Sequence, residues 1–207
     1  MRRVLLVATI AFSVTANAAI DFTPVVEEYT SQGFVYRKVT LRGERGVIRF
    51  VPPLGWNVRG TKELLQLYPP NQTLAEATMS ARTVSAPISF DAAMIETLEQ
   101  QALGTAPPTS QAARVVKHEL NPIPMGANPS LEIIISYSAL GRIFQKSVII
   151  VQVGDQQLVF RLSAPKEHFD ALDQAFRRSI GSWQWIEPAA SSATVASSQS
   201  SPGPALR

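Results

Sequence analysis

Apolar and polar positions are patterned most strongly between residues 131 and 186. Two β-branched runs, Leu131–Leu140 and Ile143–Val153, flank the turn signal Gly141-Arg142, and Leu158–Ser163 follows the polar break Gly154-Asp155-Gln156-Gln157. Gly beside polar residues between such runs marks antiparallel hairpins, because the turn needs residues that tolerate positive φ. Pro165 then opens a helix with Phe169, Leu172, Phe176 and Ile180 on one face of a 3.6-residue period. It ends at Gly181, and Trp183, Trp185 and Ile186 close the fold. The pattern predicts a meander of long strands with an amphipathic helix laid across it.

Upstream the signals are shorter. Residues 19–33 carry little periodicity and read as a lead-in, either ordered or a flexible arm. Phe34–Leu41 reads as a strand, Gly43-Glu44-Arg45-Gly46 as a turn, and Val47–Val51 as the return strand with Ile48 and Phe50 on one face. Pro52 and Pro53 end it, since proline cannot donate to a ladder. Trp56 follows, then a short strand over Lys62–Tyr68. Ala75, Ala77, Met79 and Ala81 alternate with Glu76, Thr78, Ser80 and Arg82, a half-buried strand whose small inward residues would let a helix pack close. A helix comes next, with Ser89 as N-cap, Asp91 in its first turn, Ile95, Leu98 and Ala102 as its stripe, and Gly104 as its stop. Ala113–Leu120 is a further strand, and prolines keep the 121–129 loop extended. The fold class is α+β: an antiparallel sheet of about six to eight strands, flanked by helices near 90–103 and 165–180.

The two ends lie outside this pattern. Arg2-Arg3, the apolar run Val4–Val14 and Ala16-Asn17-Ala18 have the layout of a signal peptide cleaved near Ala18, leaving Ala19 as the mature start. The apolar run is far shorter than the ~20 residues that span a bilayer. Past Glu187 the composition falls to Ala, Ser, Pro and Gly, so 188–207 reads as a disordered tail. The expected organisation is a signal peptide over 1–18, a lead-in over 19–33, one domain over 34–187 and the tail. Of 207 residues 45% are hydrophobic, ample for one core. Losing Arg2 and Arg3 takes 19 basic residues to 17, against 16 acidic, so the exported domain is near neutral and gives nucleic-acid binding no support. Without cysteines there is no lipobox, thiolate metal site or thiol nucleophile. The expected location is the periplasm, or outside the cell, with no stable membrane insertion after cleavage.

Catalytic patterns are missing: there is no Gly-x-Ser-x-Gly elbow, no His-Glu-x-x-His, no P-loop and no Gly-x-Gly-x-x-Gly. His168 falls in the first turn of the last helix and His118 in a strand; neither has partners in the sequence that would make it a metal ligand or base. Arg177 stands four residues beyond Asp173, the spacing of an ordinary solvated helix pair. No catalytic residue, metal site or cofactor is assigned. Trp56, Trp183 and Trp185 suit core packing, with sugar stacking as the other use of such aromatics. Ile123 and Met125, on the Pro-rich loop, have two readings: an apolar lip for a partner, or side chains tucked beneath the loop onto the sheet. Ile123, Met125 and Trp56 are the candidate partner-binding residues.

The run Ile48-Arg49-Phe50-Val51-Pro52-Pro53-Leu54-Gly55-Trp56, the strand and helix around Phe90, the stretch from Phe160 to Phe169 and the closing Gly181-Ser182-Trp183 together resemble the PsbP/Mog1-like family, which includes bacterial DcrB-like exported proteins. The resemblance covers about residues 34–186 and lies in turns and packing positions. It implies an antiparallel sheet with helices on both faces and a non-enzymatic accessory or assembly role; the plant-type metal-site pattern is missing. The functional expectation is a non-catalytic exported accessory or binding protein, with envelope assembly or maintenance as its setting and an envelope protein or small ligand as its partner. The alternative is a small-molecule or glycan binder using a sheet–helix pocket, with a hydrolase behind both.

Overall fold

A computed structural model describes residues 20–43 and 46–186. The stretches expected as a signal peptide and as a tail, and part of the 43–46 turn, lie outside the described residues. Among the described residues eleven strands and two helices follow one another: β1 Ile20–Ser31, β2 Phe34–Gly43, β3 Gly46–Phe50, β4 Asn57–Gly60, β5 Leu65–Tyr68, β6 Glu76–Thr83, α1 Ala92–Leu103, β7 Gln111–Leu120, β8 Ser130–Ala139, β9 Arg142–Val153, β10 Gln156–Pro165, α2 Lys166–Gly181 and β11 Gln184–Ile186. They form a seven-stranded sheet in the order β4-β5-β6-β10-β9-β8-β7 and a four-stranded sheet in the order β1-β2-β3-β11. Every pairing is antiparallel. The fold is α+β, with seven strands in its main sheet.

The central meander follows directly from the pattern. β8, β9 and β10 pair in continuous register, with Ile133 opposite Val148 and Phe160 opposite Ile149. Alternation sends Leu131, Ile133, Ile135, Val148, Ile150 and Val159 to one face, where Leu98 and Ala102 of α1 cover them. Ile134, Ile149, Val151, Phe160 and Leu162 go to the other face, against Phe169, Phe176 and Ile180 of α2 and the inner side of the small sheet. The β8–β9 turn sits one residue earlier than expected: Leu140 and Gly141 both have positive φ, and Arg142 already belongs to β9. Two such residues give the turn the twist that adjacent strands need.

Three other expectations are corrected. Residues 20–31 are ordered and belong to the domain, not to a flexible arm before it; they form a twelve-residue strand along β2, with a register shift between Asp21 and Val25 where Pro24 cannot donate. The cap of α1 is Asp91, not Ser89: its carboxylate accepts from the Met94 amide at 2.9 Å. The inward side chains Ala75, Ala77 and Met79 do not receive α1; they face the core shared with α2 and the small sheet. A second sheet was not foreseen, because β11 has only three residues and β1 little alternation.

β3 stops where Pro52 and Pro53 begin, and α2 supplies the lost ladder bonds. The Val51 amide donates to Ser182 Oγ at 2.9 Å, and Ser179 Oγ donates to the Val51 carbonyl at 2.7 Å. Those two serines tie the end of the helix to the small sheet and hold α2 across the main one.

Candidate functional site

The three residues first singled out do not form a surface site. Ile123 is only 6% exposed and belongs to the core beside α2, while Met125 is half-buried against the same cluster. The loop is drawn inward by its own polar groups: Asn121 Oδ1 accepts from the Ser130 amide at 3.1 Å, and Asn128 Nδ2 donates to the Met125 carbonyl at 2.8 Å. Trp56 is buried and stacks parallel to Phe176, their ring centroids 6.4 Å apart. The apolar lip is therefore corrected to core packing. Trp183, by contrast to a sugar platform, stacks on Phe50 at 5.4 Å and meets the Phe160 ring edge-on.

The histidines and the helix ion pair also resolve. His118 Nδ1 lies 2.6 Å from Glu99 Oε1 of α1, an exposed contact between helix and edge strand. His168 is exposed on α2. Arg177 does bond Asp173, at 2.7 Å, but the pair is not solvated: Asp173 is 8% exposed, and Arg177 also donates to the fully buried Glu132 of β8. Ser147 of β9 completes the Glu132 shell at 2.7 Å, and Lys117 Nζ stands 4.0 Å from it. One guanidinium serves two buried carboxylates. Burial, with Glu132 as a lesser cause, pushes the Asp173 carboxyl above the ordinary carboxylate value although Arg177 opposes the rise; Arg177 is held in its charged form by both neighbours. This cluster fixes α2 on the sheet and has its charges paired within itself.

The opposite face differs. α1 packs chiefly over β7 and β8; its Leu98 and Ala102 share a core with Val159 of β10, and the polar side of β6 and β10 beyond them stays open. Along its flank runs a cleft of about 120 Å³, lined by Ser80, Arg82, Gln101, Thr105, Gln157 and Arg161, with Leu98, Val148, Ile150 and Val159 as its apolar floor. Strand register assembles it: Gln157 lies opposite Arg82, and Val159 opposite Ser80. Arg82 Nε donates to Gln157 Oε1 at 2.5 Å, and Arg161 Nη1 reaches Ser80 Oγ at 3.4 Å. Lys146 of β9 stands behind the lining, donating to the Thr105 carbonyl at 2.6 Å, and Thr105 Oγ1 closes the end of α1 on the Ala102 carbonyl at 2.7 Å.

Charge in this cleft is one-sided. Among the described residues no carboxylate stands within 4.0 Å of Arg82, Lys146 or Arg161. Glu76, the carboxylate that acts on Lys146, is itself engaged by Gln66 Nε2 at 2.7 Å. Burial pushes Lys146 below the ordinary lysine value, and Arg161 adds to the drop; burial and then Arg82 do the same to Arg161. Gln157 is 0% exposed, and its Nε2 is buried with no hydrogen-bond partner. Across the ladder its neighbour is Gln152, whose Oε1 is likewise unpartnered. Buried donors normally find acceptors, so a polar group left open beside a cleft is informative.

Sequence reasoning passed over this site. Its signal was present: Lys146 and Arg161 interrupt two largely apolar, buried strands. A strand buried on both faces has no cheap place for a long cation unless something receives it.

No family model and no curated protein matches the sequence. Similar solved structures include cyanobacterial PsbP (CyanoP) from Synechocystis, 11% identical, with a TM-score of 0.45 over 84% of this chain and 96% of that one. A protein from Bacteroides thetaiotaomicron is 15% identical, with a TM-score of 0.40 over 68% of this chain. The chain spans 45% of that protein's length. Among the described residues no helix is long and apolar enough to cross a membrane.

Proposed function

We propose that the chain is a non-catalytic exported accessory protein that works by binding a small ligand in the cleft between α1 and the β6–β10 half of the sheet. The observation that carries this reading is the lining: Gln157 Nε2 is fully buried and unbonded at the edge of open space, beside Arg82 and Arg161. These groups bind; they do not form a nucleophile–base pair, since the neighbour of Ser80 Oγ is the Arg161 guanidinium. A cleft of about 120 Å³ falls below the several hundred Å³ usual for drug-sized ligands, which disfavours a glycan chain and favours a compact group. The test is a nuclear magnetic resonance screen of the full chain against small polar compounds, charged and neutral. Binders should shift the amides of Ser80, Thr105 and Gln157, and lose that effect in Ser80→Trp, which fills the cleft from a half-exposed strand position. Binders that shift only other regions would refute the site.

A second reading, action through a partner protein, is favoured by the β1–β2 arm. Beyond Val39, β2 has lost its pairing with β3, and the two-stranded arm exposes Val25, Val26, Tyr29, Phe34 and Val35. Alternation puts Val25, Tyr29 and Phe34 on one face of the arm and Val26 and Val35 on the other, and exposed apolar groups of this kind mark interaction surfaces.

A further inference from the structure

We propose that the cleft beside α1 takes a compact dianionic oxyanion, a phosphate or sulfate group, held by Arg82, Arg161 and the Gln157 side-chain amide with Lys146 behind them. The inference rests on the binding reading above and narrows it to one ligand chemistry.

Three features select an anion. The first is the donor balance. Arg161 has five N–H donors and a single long bond to Ser80 Oγ, Arg82 spends Nε on Gln157, and both Gln157 amide protons are free. Acceptors are scarcer: Gln157 Oε1 already receives Arg82 and the Thr105 carbonyl receives Lys146, which leaves Gln101 Oε1 at the mouth and the Ser80 hydroxyl. A neutral ligand would need those few acceptors for its own donors; an oxyanion, which only accepts, needs none.

The second is charge. Three cations meet along one flank of a helix, and the lysine and Arg161 both lose proton affinity to burial and to a neighbouring cation. Such a group is an electrostatic cost in the empty protein. A bound anion converts it into charge-assisted hydrogen bonds. One carboxylate would neutralise only one of the three, whereas a dianion comes closer to balance.

The third is size and placement. The open space of about 120 Å³ suits a group of a few heavy atoms, and Leu98, Val148, Ile150 and Val159 form its dry floor. Donors come from β6 and β10, paired neighbours of one sheet, so Arg82, Gln157 and Arg161 stand together on the same face beside the space. That cluster suits a group with several acceptor oxygens. Exposed Arg82 and Gln101 stand at the mouth, so the group can be a free ion or the end of a small ester whose remainder stays in solvent.

The test is titration of the isotope-labelled full chain with sodium phosphate, sodium sulfate, sodium acetate and glycerol 3-phosphate at fixed ionic strength. Phosphate and sulfate should shift Ser80, Thr105, Gln157 and Arg161 with one saturable constant, and acetate should bind at least tenfold more weakly. Arg161→Gln should weaken phosphate at least tenfold and Lys146→Gln about threefold, while Arg114→Gln on the edge strand leaves it unchanged. Tighter glycerol 3-phosphate than phosphate identifies an esterified ligand; equal or weaker binding identifies the free ion. Non-saturating shifts spread over all basic residues, or an Arg161→Gln variant that binds normally with an intact spectrum, would overturn the proposal. If instead neutral compounds from the screen occupy the cleft and phosphate does not, the oxyanion assignment fails while the binding reading survives. If neither occupies it, both fail.

Discussion

Replacing Arg177 by Met isolates the polar cluster that seats α2. Methionine keeps an unbranched apolar stem in the helix, so packing along the guanidinium's alkyl portion is largely retained while charge and hydrogen bonds go. The change strands Glu132, which is 0% exposed, and Asp173, at 8%. Removing one partner of a buried ion pair costs about 3–5 kcal/mol, most of it the penalty of the charge left behind. Two things soften it here: Ser147 still donates to Glu132 at 2.7 Å, and Lys117, half-exposed, stands 4.0 Å away. The expected loss at pH 7 is therefore near the low end, about 3 kcal/mol, or roughly 6–12 °C in melting temperature for a domain of this size.

The pH dependence has a definite sign. Asp173 binds its proton more readily in the folded state than its ordinary value of 3.8 implies, because it is buried and near Glu132. A group raised in this way contributes stability that is fully present below its unfolded value and lost as pH rises through the folded one. Arg177 restrains the rise in the native chain, so without it the folded value climbs further and the window widens. The deficit of Arg177→Met should shrink as pH falls from 7 toward 5. Urea unfolding of both chains at a series of pH values measures this. Adding Glu132→Gln to Arg177→Met should restore about 1–2 kcal/mol at pH 7, since one stranded charge is removed. A single-variant loss below about 1 kcal/mol, or a double variant no more stable than the single, would refute the account of one cation shared by two buried carboxylates.

Two further substitutions probe packing. Ile123→Ser should cost about 3–4 kcal/mol in urea unfolding, through the lost transfer term, the cavity and an unbonded hydroxyl; a loss under about 1 kcal/mol would return Ile123 to the surface. Gly60→Ala places a Cβ 2.1 Å from the Phe22 carbonyl oxygen, a backbone atom that cannot yield unless β1 shifts. About 3 kcal/mol of destabilisation is expected, against no more than about 0.5 kcal/mol for Gly181→Ala, where an added Cβ meets nothing within 4 Å; equal effects by thermal unfolding would contradict the close approach of β1 to β4.

What the sequence displays and what it conceals divide along a physical line. The β8–β10 meander was legible because period-two alternation and turn residues are local properties, and α2 because Phe169, Phe176 and Ile180 recur at helical spacing. β1 escaped notice because its partner is a neighbouring hairpin strand and most of its length is exposed, so burial imposes no alternation on it. The 121–129 loop stays open between two readings in the sequence for the converse reason. Its prolines and polar residues look like surface, yet Asn121 and Asn128 satisfy the backbone internally and let Ile123 turn inward. Charges are the hardest case. Glu132, Lys146 and Arg161 each interrupt an apolar strand in the same way, and nothing local separates them. What separates them is whether the opposite charge arrives from elsewhere. Glu132 meets Arg177, 45 residues along the chain, because α2 is laid across its face. Lys146 and Arg161 point to the other face, where α1 covers β7 and β8 but brings no carboxylate to the β6–β10 side. The same local anomaly is thus a finished structural contact on one face of the sheet and an unfinished one on the other. Because desolvated cations are costly when unpaired, the unfinished one is where a ligand adds most to stability. Phosphate should therefore raise the melting temperature of the native chain, and of Arg177→Met equally, since the two clusters lie on opposite faces and share no partner.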